Sequence, residues 1–228
     1  MVKKLDLSKI NSVPLENNQF VKEATTKTQI YLHHTAGNSS GFNVIYGWNK
    51  DKRGRVGTCV TISGKNAYKS KDGEICQAFS SRYWAYHLGA ETKSFKQFGL
   101  AYKNLDKLSI GIEICNWGFL TKKDGKYYNY VNGLIDENEV TILDKPYRGK
   151  KYFHRYTDAQ IESVRQLLVF WRDRYDIDIT YNSDDMWELS GNALKGANGL
   201  FSHNSVRTDK IDIYPCPRMI TMLKYANL

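Results

Sequence analysis

No stretch of the 228-residue chain is apolar for long enough to cross a bilayer, which takes about 20 residues as a helix. The basic start, Met1-Val2-Lys3-Lys4-Leu5-Asp6-Leu7-Ser8, is followed by no apolar segment of the signal-peptide kind. The expectation is a protein made in the cytoplasm without a signal peptide; a target outside must be reached by another route. There is no run of five or more Lys and Arg and no RNA-binding aromatic signature, which weighs against nucleic acid as a partner. The four cysteines, at 59, 76, 115 and 216, form no Cys-x-x-Cys and are spaced too irregularly for a zinc knuckle or a disulfide framework. Cys59 and Cys115 lie in apolar, strand-like runs and read as small buried hydrophobes, in keeping with a reducing compartment. Also missing are internal repeats, low-complexity tracts and any shift in composition that would mark a second domain.

What is present suits one domain carrying insertions. Apolar residues make up 41% of the chain, enough for a sizeable core. Sixteen Tyr and five Trp exceed what a core needs and suit a cleft or a carbohydrate-facing surface. The formal charge of +9 fits an anionic polymer, whether nucleic acid, an acidic membrane or a bacterial wall bearing acidic glycopolymers; it also fits a surface that is merely kept soluble.

Along the chain, 1–27 reads as a polar N-terminal arm with at most one short helix. A strand is expected over 28–35 and a loop over 36–41. A short helix over 40–50, with Phe42, Ile45, Tyr46 and Trp48 at helical spacing, can be capped by Ser39 or Ser40. A second strand follows over 56–63. Lys71-Asp72-Gly73-Glu74 reads as a hairpin turn into Ile75–Phe79. The stretch 84–90 is aromatic and loop-like, and Leu108–Cys115 has the Ile-rich character of a buried central strand. Residues 118–152, rich in Gly, Tyr, Lys and Asp, are expected to be an inserted loop or irregular hairpin. Thr157 and Gln160 form a capping box for a helix whose stripe is Ile161, Val164, Leu167, Leu168 and Trp171. Residues 182–199 read as polar connection, 200–203 as a short strand, and the end as a helix entered through Pro217. The order predicts an α/β fold, a mixed β-sheet flanked by helices.

Three separated segments carry groups able to ligate a metal or move a proton. In Tyr31-Leu32-His33-His34-Thr35-Ala36-Gly37, adjacent strand side chains face opposite ways, so only one histidine of the pair can enter a given site. Ser202-His203 offers a second imidazole. Lys210 and Asp212, two residues apart on extended chain, can face the same side; a solvated Asp-Lys-Ile-Asp loop is the plainer reading. Glu113 interrupts Ile110-Gly111-Ile112-Glu113-Ile114, where a carboxylate is costly unless paired or exposed in a cleft. Beside a metal site, burial would suit it as a general base with a raised pKa, the alternative being a structural ion pair. Together these are the parts of a zinc hydrolase with three protein ligands and one open position.

His33-His34-Thr35-Ala36-Gly37, Tyr86-His87-Leu88-Gly89, Ser109-Ile110-Gly111-Ile112-Glu113 and Lys210-Ile211-Asp212, in this order, resemble the type 2 N-acetylmuramoyl-L-alanine amidase family. That family includes phage lytic amidases, wall-recycling amidases and peptidoglycan recognition proteins. The resemblance runs from about residue 28 to 217, with about 118–152 inserted, and implies a catalytic domain over 28–228. It implies a Zn²⁺ cofactor in a surface groove, held by His33, His203 and Asp212. Cys216 of Tyr214-Pro215-Cys216-Pro217 is the rival third ligand, because Cys-Pro stands there in some relatives. It implies Glu113 as catalytic glutamate and Lys210 as oxyanion-stabilising lysine. His87, Trp84, Asn116 and Thr58 are candidate substrate contacts; Thr58 stands where many members have Tyr, and His87 is equally readable as structural. The implied reaction is cleavage of the amide between N-acetylmuramic acid and L-alanine by a phage endolysin or bacterial autolysin that acts as a monomer and reaches the wall through a holin if phage-borne. A non-catalytic peptidoglycan-recognition module is the alternative.

Overall fold

The computed structural model describes residues 4–37, 40–65, 67 and 69–227. The N-terminal arm contributes β1 (Asn11–Ser12), and β2 (Gln29–His34) is the first long strand. Helix α1 (Gly41–Asn49) follows, capped by the Ser40 hydroxyl, which accepts from the Asn43 amide; Ser39, the other expected cap, lies outside the described residues. Then come β3 (Val60–Ile62), β4 (Ile75–Gln77), α2 (Thr92–Lys96) and β5 (Ser109–Ile114). The segment expected as a loop or irregular hairpin instead forms β6 (Phe119–Lys123), β7 (Lys126–Tyr128), β8 (Leu134–Ile135), β9 (Val140–Tyr147) and β10 (Lys150–His154). Helix α3 (Asp158–Tyr175) precedes α4 (Ser183–Met186), α5 (Gly191–Lys195), β11 (Gly199–Ser202) and α6 (Pro217–Tyr225).

The main sheet has six strands in the order β1-β4-β3-β5-β2-β11. Its centre, β3-β5-β2-β11, is wholly parallel, while β3 and β4 form the expected antiparallel hairpin. Parallel strands are covered on both faces, so β2 is buried throughout and β5 nearly so. α1 lies on the face that carries Glu113, over β3: a side chain at Gly41 would collide with Thr61, which is in register with Glu113. α3 starts with the Thr157–Gln160 capping box, worth about 1 kcal/mol, and Gln160 is drawn in to donate to the Cys115 carbonyl at 2.8 Å.

The insertion is a five-stranded antiparallel sheet, β8-β7-β6-β10-β9. Two tight turns make it possible. Asp124 and Gly125 both have positive φ (49° and 76°), as do Arg148 and Gly149 (47° and 76°), the backbone that two-residue hairpins require. One side adds Phe153, Leu143 and Tyr147 to the main core; the other encloses Leu120, Tyr127, Ile135 and Val140 in a small core of its own. The polar connection expected over 182–199 likewise contains two short helices, started by the side chains of Asn182 and Ser190. The arm is not separate from the sheet, since β1 pairs in parallel with its β4 edge.

Candidate metal centre and active site

The carboxyl ends of the parallel strands converge on one cleft of about 400 Å³, lined among others by His33, Thr58, His87, Glu113, His203, Lys210 and Asp212. Open α/β sheets bind ligands at this end of their strands. β2 and β5 are paired so that His33 lies directly beside Glu113. His203 follows the last residue of β11, and Asp212 comes from the loop beyond it.

His33 Nδ1 and His203 Nδ1 face each other at 3.1 Å, and Asp212 Oδ2 lies 3.3 Å from the first and 3.0 Å from the second. Ligand atoms about 2.0–2.1 Å from a tetrahedral zinc are separated by about 3.3 Å, so this triangle has the size of one face of a zinc site. The protons on the rings fit as well. His203 Nε2 lies 2.8 Å from the Leu88 carbonyl, to which it must donate, leaving Nδ1 with a free lone pair. The Ser109 hydroxyl donates to the Asp106 carbonyl and accepts from His87 Nε2 at 2.8 Å. His87 Nδ1 is then an acceptor for His33 Nε2 at 2.9 Å, and His33 Nδ1 also presents a lone pair to the triangle. The Asp106 carboxylate fixes both outer partners by accepting from the His87 and Leu88 amides at 2.8 and 3.0 Å. Such outer hydrogen bonds orient ligand imidazoles and raise their basicity.

Electrostatics favour the ligand forms. Burial, then the neighbouring His203, pushes His33 down to about 4, so its imidazole is neutral at physiological pH. Burial alone would raise Asp212, but His203 and His33 outweigh it and hold the carboxyl well below the usual range. Glu113 moves the other way: burial, then the Asp212 charge, raises it well above an ordinary carboxylic acid, while Lys210 pulls it back.

His34 borders the cleft, but its ring packs against Tyr156 and Tyr214 on the opposite side of the strand from His33. Its Nδ1 is hydrogen-bonded to the Tyr156 hydroxyl at 2.8 Å, and Gly118, at φ +71°, leaves it room: a side chain there would stand 2.7 Å from His34 Nε2. Burial lowers His34 to about 4. Gly111 has a similar reason, because a Cβ would meet Thr58 at 2.6 Å and His87 at 3.0 Å. Cys216 is buried at the start of α6 and stands outside the His33–His203–Asp212 cluster. Trp84 lies off the cleft, its indole donating to Glu23 at 2.9 Å. The Asn116 amide is occupied with the His154 carbonyl and the Gly118 amide, and it lines a larger neighbouring cleft of about 1190 Å³. Thr58 borders the site while donating to the Val60 carbonyl. Ser109 and Asp106 were not singled out in the sequence, although Ser109 shares a strand face with Glu113 by the two-residue period and was within reach of that argument.

A family model described as N-acetylmuramoyl-L-alanine amidase matches residues 24–217. The chain belongs to that family. With the His33–His203–Asp212 donor set it is a zinc-dependent amidase of peptidoglycan. The solved structure of PlyL is 14% identical, with 96% of this chain and 99% of that one covered at a TM-score of 0.52, which shows a shared fold. The PlyG catalytic domain (14% identity, 96% and 95% covered, TM-score 0.49) and the N-acetylmuramoyl-L-alanine amidase LysC from Clostridium intestinale (13%, 93% and 97%, 0.44) are also similar. No curated protein matches the chain. No described helix is long and apolar enough to cross a membrane.

Proposed function

We propose that the chain is a wall-lytic amidase of the endolysin or autolysin kind, with His33, His203 and Asp212 as zinc ligands, Glu113 as general base and acid, and Lys210 as the cation facing the developing oxyanion. Zinc, when bound by this set, supplies Lewis acidity toward water and the scissile carbonyl. Glu113 takes the proton of the water that attacks the lactyl carbonyl of N-acetylmuramic acid. The attack completes the new C–O bond and leaves negative charge on the former carbonyl oxygen; Glu113 then passes the proton to the L-alanine nitrogen, and the C–N bond breaks as the C=O bond re-forms, giving a carboxylic acid and a free amine. The Lys210 ammonium, in the same cleft, offsets charge on the carbonyl oxygen. Thr58 and His87 border the space for substrate, and His87 has the further role of holding His33.

The observation that carries this reading is Glu113. No hydrogen bond or ion pair holds its carboxylate among the described residues, yet it is half-buried beside a metal-ligating histidine, with a pKa raised by its surroundings. A structural carboxylate would be partnered. The assignment to wall lysis also draws on the basic charge, which suits an acidic wall. Digestion of purified peptidoglycan by the zinc-loaded protein, with products read by mass spectrometry, tests the reaction. Free stem peptides beginning with L-alanine beside unbroken glycan are expected; reducing sugar ends would refute it, and wall binding without cleavage would favour the recognition module.

A further inference from the structure

We propose that Arg148 is a positioning residue of the amidase centre: from the tip of the inserted sheet it holds the backbone of residues 207–210, and through it Lys210 and Asp212, in place against His33, His203 and Glu113. The proposal rests on the zinc and oxyanion roles given above to Asp212 and Lys210.

The loop after β11 has little regular structure of its own, yet it must deliver two charged side chains to fixed points. His33 and Glu113 are set by a strand pairing; Asp212 and Lys210 are not. Their support comes from the insertion. At the β9–β10 turn, Arg148 Nη1 donates to the carbonyls of Arg207 at 3.3 Å and Thr208 at 3.1 Å, and also to that of Lys210. Its Nη2 reaches the Trp187 carbonyl and Glu188 Oε2, each at 3.4 Å. The side chain is only 15% exposed, so the guanidinium is committed to these carbonyls. A guanidinium presents several donors in a fixed plane, which suits gathering successive carbonyls of an irregular loop.

A second brace lies just past Asp212. Tyr214 donates to the His154 carbonyl on β10 at 2.9 Å, and its ring is stacked between Phe153 (4.2 Å) and Tyr156 (4.9 Å). Asn204 adds a bond from Nδ2 to the Ile213 carbonyl at 2.8 Å. The segment bearing Lys210 and Asp212 is therefore held at both ends, and upstream the inserted hairpin does the holding. Arg148 does not line the cleft, so its effect must pass through the loop.

The test compares Arg148→Ala, Arg148→Lys and Lys151→Ala, an exposed change on the same hairpin. Zinc affinity is measured by competition with a chromogenic chelator, and kcat and KM on solubilised peptidoglycan. Residues that orient metal ligands typically contribute about 10–100-fold, so Arg148→Ala is expected to weaken zinc binding on the order of 10-fold and to lower kcat more than KM. Arg148→Lys, with a compact ammonium in place of the planar fork, should recover part of both, and Lys151→Ala should match the wild type. A folded Arg148→Ala protein with wild-type zinc affinity and kcat overturns the proposal. If the alanine variant does not fold, Arg148→Lys decides: zinc affinity and kcat both equal to wild type overturn it, and a loss in either supports it. A wild-type protein that binds zinc but cleaves no wall would sink the amidase reading and leave the zinc-affinity comparison standing.

Discussion

In the six-stranded sheet, the functional strands are largely apolar runs, and the site residues stand at or near their carboxyl ends: His33 as the penultimate residue of β2, Glu113 near the end of β5, His203 just past β11. The five-stranded inserted sheet mixes Lys, Tyr, Asp and Gly, is solvated over much of its surface, and contributes no residue to the metal cluster. The first places its chemistry by strand register, where a slip of one residue would turn every side chain to the other face. The second works through backbone carbonyls, holding a loop that has no register. A metal centre can thus be rigid on one side because of its sheet and on the other because of a neighbour.

Changes that break the first kind of placement should cost most. His33→Ala or Asp212→Ala removes one of three ligands, and both are expected to abolish stoichiometric zinc binding and wall turnover together; metal analysis of the purified variants checks this. Lys210→Met should come next, and its signature lies in the pH profile. Glu113 must be ionised to accept a proton, and its pKa is already raised by burial and Asp212 while Lys210 lowers it. Removing that ammonium raises it further, so the acid limb of kcat/KM should move to higher pH, with the loss greater at low pH than at pH 8. An unmoved limb would mean Lys210 and Glu113 are not coupled. His87→Ala, which removes the acceptor behind His33, should weaken zinc about 10–100-fold without abolishing it, as read by chelator competition. Trp84→Phe, away from the cleft, should leave both zinc affinity and kcat within about twofold, its small cost falling on stability through the lost bond to Glu23, as read by thermal melting.

The sequence was most readable where polarity conflicted with burial. A Glu inside Ile110–Ile114 is expensive unless it functions, which made Glu113 legible from the residues alone; the His33–His34 pair was legible by its place at the end of an apolar run, and choosing His33 took the family resemblance. Cys216 stood as the rival of Asp212 because Cys-Pro occupies that place in some relatives; the fold separates them by committing Cys216 to the start of α6. The insertion was hard to read because its strands are short or lack a clean two-residue alternation, as in Lys126-Tyr127-Tyr128 and Lys150-Lys151-Tyr152-Phe153-His154, and its hairpins depend on two turns with positive φ. Asp124-Gly125 was a turn signal in plain view. Arg148 had no signal at all: its partners are main-chain carbonyls roughly sixty residues away, and carbonyls carry no sequence identity.

The most direct test of the account pairs the wild type with Glu113→Gln, measuring bound zinc and stem peptide released from the same wall preparation. The account predicts one zinc in each protein and a loss of about 10² or more in release by the glutamine variant, the scale of a general base. Release near the wild-type rate by a zinc-loaded Glu113→Gln protein would contradict it.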